Sequence, residues 1–432
     1  MAKTYETGER KERFILAAVQ LDERDDTKES LDELGQLVQT AGGEVSGYIV
    51  QRREAFSSAT YLGKGKIEEL ASMLEQYDAD GVVCDDELSP AQLKNLEEAL
   101  GCKVLDRTSV ILDIFAARAT TNEGKLQVET AQLKYRMSRL SGLGLGLSMS
   151  RLGGGIGTRG PGEKKIETDR RLIRDRLTQL NKELDEVVRH RDITRKQRQK
   201  TNIPVAAIVG YTNAGKSTLL NTLTDADVLS EDKLFATLDP TTREVLLPNK
   251  DKALLTDTVG FIRKLPHHLI DAFKSTLEEA KYADIIVHVV DISNEDMERQ
   301  MAIVYETLKE LGVEGKPVIT LFNKCDKINF NTEEARPRDF NADRVIYISA
   351  ATGEGLEEFK NALEEIIRDN QVYIEHCYDF ADAGRIQIFR QFGQLISEEY
   401  TQEGIVVKGY LPREYFGRAG LNAAGNSGEE YL

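Results

Sequence analysis

Strands alternating with helices over most of 432 residues make this an α/β chain. A doubly wound parallel sheet is expected at 201–368, with a smaller α/β layer before it and a small α+β piece after it. Three observations carry that reading. Five apolar runs, PVAAIVG, ALLTDTVG, DIIVHVV, PVITLFN and RVIYISA, recur among helix-like segments at 216–224, 270–281 and 355–368. A shorter alternation of the same kind opens the chain. Between the two lies a stretch whose apolar residues repeat at helical spacing around a glycine-rich centre. At roughly 100 to 200 residues per domain the length allows two to four domains, which can bury ample cores without disulfide or metal staples.

The first layer, 1–120, begins with RFILAAVQL (13–21) as a buried strand, a helix over 27–41, the pair Gly42 and Gly43, and a strand over 44–53. The apolar run GVVC (81–84) sits between helices at 64–76 and 89–100; Ser89 suits the N-cap of the second and Pro90 its first turn. Thr108, Asp106 and Asp86 read as short polar caps. No signature motif lies in this layer. Over 121–200, Leu126, Leu133, Met137 and Leu140, then Ile166, Ile173, Leu177, Leu180, Leu184 and Val187, recur at steps of 7, 4 and 3, the stripe of two long helices side by side. Nine glycines fall within 142–162, so a helical hairpin with a glycine-rich tip is expected. The tail, 369–432, shows β-like pieces GRIQIFR and GIVVKGYL around one helix.

A net charge of −16 with 30% charged and 40% hydrophobic residues describes a soluble, folded, acidic protein. The N-terminal MAKTYETGERKERF lacks a signal-peptide core and no apolar run approaches the ~18 residues that span a bilayer, so no membrane insertion and a cytoplasmic location are expected. Cys84, Cys102, Cys325 and Cys377 show no CxxC spacing, which suits a reducing compartment and excludes the usual zinc patterns. The acidity is uneven. Residues 151–200 hold fifteen Lys or Arg against eight Asp or Glu, so the hairpin is cationic and the rest strongly anionic.

The chemistry lies in 201–368. PVAAIVG runs into GYTNAGKST: Gly210, Tyr211, Thr212, Asn213, Ala214, Gly215, Lys216, Ser217 and Thr218 form the G-x-x-x-x-G-K-[ST] pattern between a strand and a helix. There the backbone N–H groups and the positive helix end cradle phosphates, Lys216 reaches the β- and γ-phosphates, and Ser217 ligates Mg²⁺. PVITLFN ends in Asn323, Lys324, Cys325 and Asp326. A carboxylate only accepts hydrogen bonds, and guanine offers two donors on one edge where adenine offers one donor and an acceptor. A half-paired carboxylate costs about 1–3 kcal/mol, so Asp326 selects GTP and GDP over ATP. Lys324 would cover the base plane, Asn323 would brace the phosphate loop, and backbone N–H groups of Ser349, Ala350 and Ala351 would meet the guanine O6. Cys325 is a packing residue. ALLTDTVG ends in Asp257, Thr258, Val259 and Gly260, a D-x-x-G whose aspartate holds Mg²⁺ through water and whose glycine N–H meets the γ-phosphate. Phe235, Ala236, Thr237, Leu238 and Asp239 supply Thr237, twenty residues past Ser217, as a switch threonine on the metal. Lys216, Thr237 and Gly260 are the expected catalytic groups.

These motifs, with GGGIGTRGPGEKKIETDRR before them, the hairpin and the N-terminal α/β layer, resemble the HflX family of P-loop GTPases over essentially the full chain. The resemblance implies a cytoplasmic GTPase that binds the large ribosomal subunit and splits or rescues stalled ribosomes, with the glycine-rich loop contacting rRNA. Arg151, Gly155, Gly157, Arg159, Gly160, Lys164 and Lys165 are the candidate rRNA contacts, since phosphates attract Arg and Lys and glycine backbone lies close to bases and riboses. The position after D-x-x-G, often a water-orienting glutamine, is Phe261, so unaided hydrolysis is expected to be slow. The free chain is expected to be monomeric. His267 and His268 read as solvated or packing residues, and His288 as a core histidine. The alternatives are a non-ribosomal GTP switch and an ATP- or GTP-dependent RNA remodelling factor, the ATP form disfavoured by Asp326.

Overall fold

A computed structural model describes residues 10–22, 26–149, 161–199, 203–224, 234–235, 240–264, 266, 279–328, 336–369, 371–412 and 415–421, with only the backbone at 141–149, 161–164, 192–199, 371 and 394. The chain divides into two compact units, Met1–Glu186 with Glu231–Asp239 and Gly260–Thr276, and Val187–Ser230 with Pro240–Val259 and Leu277–Leu432.

In the first unit, strands β1 (Arg13–Gln20), β2 (Glu44–Arg52), β3 (Gly81–Cys84) and β4 (Lys103–Asp106) form an all-parallel sheet in the order β2-β1-β3-β4. The unbroken apolar runs of β1 and β3 are buried on both faces, as central parallel strands require. Gly81 is needed for the close approach: a Cβ there would stand 2.5 Å from the Lys103 carbonyl. The helices are α1 (Thr27–Thr40), α2 (Lys64–Tyr77), α3 (Pro90–Leu100) and α4 (Arg107–Arg118). Ser89 closes a capping box with Gln92 as the Ser-Pro start suggests. Asp106 caps α4, whereas Asp86 is not a cap and accepts from Lys264.

The hairpin consists of α5 (Asn122–Met149) and α6 (Pro161–Gln199), the latter passing into the second unit at Val187. Every expected stripe position up to Leu140 and from Ile166 to Val187 is at least half buried, with Leu126, Leu177 and Leu180 deepest. Arg176 grips Glu129 through two bonds of 2.7 and 2.9 Å. Helix α5 runs on through Gly142, Gly144 and Gly146 towards the tip.

In the second unit, β5 (Val205–Gly210), β6 (Thr241–Leu246), β7 (Lys252–Asp257), β8 (Ile285–Asp291), β9 (Val318–Asn323) and β10 (Arg344–Tyr347) pair in the order β10-β9-β8-β5-β7-β6, parallel except for the edge strand β6. Helices α7 (Lys216–Thr224), α8 (Met297–Glu310) and α9 (Leu356–Asp369) accompany them. β6 and α8 were not anticipated, and most of the expected helix at 270–281 lies outside the described residues. The C-terminal sheet, β11 (Gln371–Tyr378), β12 (Gln394–Tyr400) and β13 (Ile405–Pro412), is antiparallel in the order β11-β13-β12. GRIQIFR is not a strand: α10 (Ile386–Phe392) buries Ile386 and Phe389, three residues apart on one helical face.

Candidate functional site

Strand order reverses at β5, with β8 on one side and β7 on the other, so the carboxyl ends of these strands form the crevice where an open α/β sheet binds ligands. The G-x-x-x-x-G-K-[ST] residues leave β5 there. Gly210 has φ +153°, and a Cβ on it would come within 2.2 Å of the Val289 carbonyl; Gly215 has φ +97°, and its Cβ would meet Asn323 Nδ2 at 2.2 Å. Asn213 takes φ 61° between them. The Lys216 ammonium donates to the Tyr211 carbonyl at 2.7 Å, folded over its own loop. Burial pushes its pKa down to about 8 against the opposing pull of Asp257, the signature of a cation buried to meet an anion.

Asn323 joins three motifs. Its Nδ2 donates to the Ala214 carbonyl at 2.8 Å and its Oδ1 accepts from the Ala350 N–H at 2.9 Å, tying the phosphate loop to the segment after β10. Lys324 takes φ 67° and donates to the Asn213 carbonyl at 2.9 Å and to Asp291 at 2.6 Å. Asp291 was missed in the sequence; it stands opposite Asn323 in the β8–β9 register and fixes the lysine stem. Asp326 lies exposed in the turn after β9. Of the three N–H groups expected at the base, Ser349 donates to the Glu354 carbonyl and Ala350 to Asn323, so that role narrows to Ala351. Ser217 Oγ donates to the wholly buried Asp257 at 2.8 Å. A hydroxyl and a carboxylate side by side at the phosphate loop are hard oxygen donors and fit Mg²⁺. Thr258 is buried, bonded to the Ile208 carbonyl at 2.7 Å, and only positions its neighbours.

The rest of D-x-x-G belongs to the first unit, which takes up the chain at Gly260. Phe261 is 2% exposed and Ile262 and Arg263 are buried with it. Phe235, at φ 54°, meets Phe115 of α4 edge to face at 4.7 Å. Ala236, Thr237, Leu238 and Asp239 lie outside the described residues, as do Arg151, Gly155, Gly157, Arg159, Gly160, His267 and His268. Lys164 is described only as helix backbone, and Lys165 is exposed on α6. His288 is buried as anticipated.

The first unit also holds an ion cluster that its sequence did not disclose. Arg107, fully buried, donates to Glu33 at 2.6 Å, Asp85 at 2.7 Å and the Ser30 carbonyl at 2.7 Å. Burial works against its charge, but Asp85 and Glu33 outweigh it and hold the guanidinium above its ordinary pKa. Burial likewise raises Asp85, and Arg107 and Lys264 more than offset that, keeping the carboxyl below its usual range.

Three family models match successive parts of the chain: a GTP-binding GTPase N-terminal region at 28–116, a GTP-binding GTPase middle region at 118–198 and a 50S ribosome-binding GTPase at 205–324. A GTPase HflX of Lacrimispora saccharolytica is 60% identical over 423 residues, covering 98% of this chain and 99% of its own; that of Escherichia coli is 42% identical over 346 residues, covering 79% and 80%. Among solved structures, a GTP-binding protein from Sulfolobus solfataricus in complex with GDP is 26% identical with a TM-score of 0.44, covering 82% of this chain and 98% of the other. A phosphate loop at the reversal of a doubly wound sheet, braced by the asparagine of an N-K-x-D turn, defines a P-loop GTPase. Its three-part make-up narrows the class, and the chain belongs to the HflX GTPase family.

Proposed function

We propose that this GTPase binds the large ribosomal subunit and splits or rescues stalled ribosomes, with the residues at the tip of its cationic hairpin, 151–165, touching rRNA. The observation that carries the reading is the 50S ribosome-binding GTPase match at 205–324, which takes in the phosphate loop, both switch motifs, Asn323 and Lys324. The charge pattern supports it: seven surplus positive charges gather in 151–200 of an otherwise acidic chain. At the nucleotide, Lys216 and the backbone of 210–218 hold the phosphates, Asp326 pairs with the two guanine donors, Ala351 donates to O6, and Gly260 donates to the γ-phosphate. Ser217, Thr237 and, through water, Asp257 would hold Mg²⁺, which when bound neutralises charge between the β- and γ-phosphates. Switch segment 235–242 and the Gly260 end of 257–268 order around GTP and release after hydrolysis. GTP-state binding energy drives splitting and hydrolysis resets the chain.

Co-sedimentation with isolated large subunits tests this. Binding is expected with a nonhydrolysable GTP analogue and is expected to weaken with GDP. Replacing Arg159 and its adjacent glycines should lower both affinity and its salt dependence. Equal binding in both nucleotide states, or an unchanged salt slope, would overturn the reading. Splitting that requires hydrolysis rather than GTP binding would overturn the order of events.

A further inference from the structure

The turn that follows β10 is almost closed on itself. Ser349 donates its N–H to the Glu354 carbonyl at 3.0 Å, Thr352 donates to Ser349 Oγ at 3.3 Å and Gly353 to the Ser349 carbonyl at 2.9 Å, while Glu354 reaches Thr352 Oγ1 at 3.4 Å. The Ala350 N–H goes to Asn323 Oδ1. That leaves exposed Ala351 as the one residue of 349–354 whose N–H has no partner among the described residues. The carbonyl on the same peptide group is held. Thr222 of α7 donates its hydroxyl to the Ala350 carbonyl at 2.7 Å, across 128 positions of sequence. The same hydroxyl lies 2.9 Å from the Thr218 carbonyl one turn back, a contact that holds its rotamer.

We infer that Thr222 is a positioning residue that sharpens the selectivity of the site for guanine. A trans peptide group is planar, with its C=O and N–H pointing in opposite directions, so a bond that fixes the Ala350 carbonyl also fixes the Ala351 N–H. Asn323 holds the preceding peptide and Thr222 holds this one. Two consecutive peptide planes are pinned, and the Ala351 N–H keeps one direction, away from Thr222. The inference rests on the reading of Ala351 as the donor to guanine O6. A hydrogen bond weakens steeply as its angle departs from linearity, and a donor set in place before the base arrives loses no freedom on binding. The phosphates and the two guanine donors take their contacts from other groups, so releasing the Ala350 carbonyl costs the O6 contact alone. Helix α7 begins at Lys216, so the helix that starts at the phosphate loop also sets the angle of a base contact within its first two turns.

Thr222→Val keeps the branched shape and removes the hydroxyl, whereas Thr222→Ser keeps the hydroxyl. The experiment measures affinities of the full chain and of both variants for GDP and for 6-thioguanosine diphosphate, which retains the two guanine donors but replaces O6 with sulfur, a weak acceptor. The parent is expected to prefer GDP. Thr222→Val is expected to bind GDP about 3- to 10-fold more weakly with the thio analogue unchanged, and Thr222→Ser to recover most of the loss. A merely structural role for Thr222 would weaken both nucleotides alike. That result, or an unchanged GDP affinity in Thr222→Val, overturns the inference and leaves the O6 contact standing, as does a serine variant as weak as the valine. A parent that binds the two nucleotides equally shows that nothing donates to O6, and the inference falls with that reading.

Discussion

Asp326 has no competing partner among the described residues and lies exposed at the sheet edge, so its carboxylate is available to a base. Asp326→Asn replaces two acceptor oxygens with one acceptor and one donor, setting an N–H against a guanine N–H. Guanine nucleotide affinity should fall by about 10- to 100-fold, consistent with 1–3 kcal/mol, and xanthine nucleotides, which carry a carbonyl at that edge, should gain. Competition binding against labelled GDP would show it; an unchanged guanine preference would remove Asp326 from the site. His288 provides a different check. Burial presses its pKa from 6.5 down to about 4, with Asp339 opposing the shift and Lys216 adding to it. The folded state thus holds a neutral imidazole where the unfolded chain would bind a proton. Stability is full above pH 6.5 and falls as pH drops toward 4, by at most on the order of 3 kcal/mol. Thermal unfolding between pH 7 and 4 should show a shallower decline in His288→Gln than in the parent. The phosphate-loop and base-reading residues were legible because their spacing is dictated by the ligand. Asp291, Arg107 and Asp85 were not: their partners lie 22 to 179 positions away or in another motif, and pairing of that kind leaves no local pattern.

Helices and strands were legible where their period was long or their caps explicit, as in β1, α1, β2 and α3. The errors came from short or ambiguous runs. In GRIQIFR the i, i+2 spacing of Ile386 and Ile388 mimics a strand, while the buried pair is the helical Ile386 and Phe389. β6 escaped because an edge strand with exposed Arg243 and Glu244 has no apolar run. At the phosphate loop the decisive quantity is space. Gly215→Ala would drive a methyl into Asn323 Nδ2 at a φ that L-residues avoid, so nucleotide binding should be lost while the fold, monitored by circular dichroism, persists. In the hairpin the decisive quantity is burial. Leu180 is wholly buried, and Leu180→Ala should cost about 2–5 kcal/mol in denaturant unfolding. Arg176→Ala, which removes a pair roughly 40% exposed on both sides and screened by solvent, should cost far less than Leu180→Ala. The reverse ranking would mean that ion pairs rather than the apolar stripe hold the arm.

Two properties of the chain taken together bear on its rate. The switch flanks Leu234–Phe235 and Phe261–Lys264 are bound into the N-terminal unit, and the side chain at the usual water-orienting position is an apolar anchor buried there. A phenyl ring offers no hydrogen bond to water, and at 2% exposure it has no freedom to be replaced by one that does. The isolated chain should therefore hydrolyse GTP at roughly 10⁻⁴ to 10⁻² s⁻¹, and its partner should raise this by about 10³ to 10⁵, equivalent to about 4 to 7 kcal/mol of barrier. The sharper expectation concerns Phe261→Gln. Restoring the common residue should not accelerate unstimulated turnover, because the new amide would be buried away from solvent. It should instead destabilise the first unit by about 3 kcal/mol or more, combining lost aromatic burial with an amide short of partners. Single-turnover hydrolysis and denaturant unfolding of the same variant decide the matter. Faster hydrolysis at unchanged stability would mean that position 261 faces the nucleotide after all; slower or equal hydrolysis with reduced stability would mean that the water-orienting group comes from the partner.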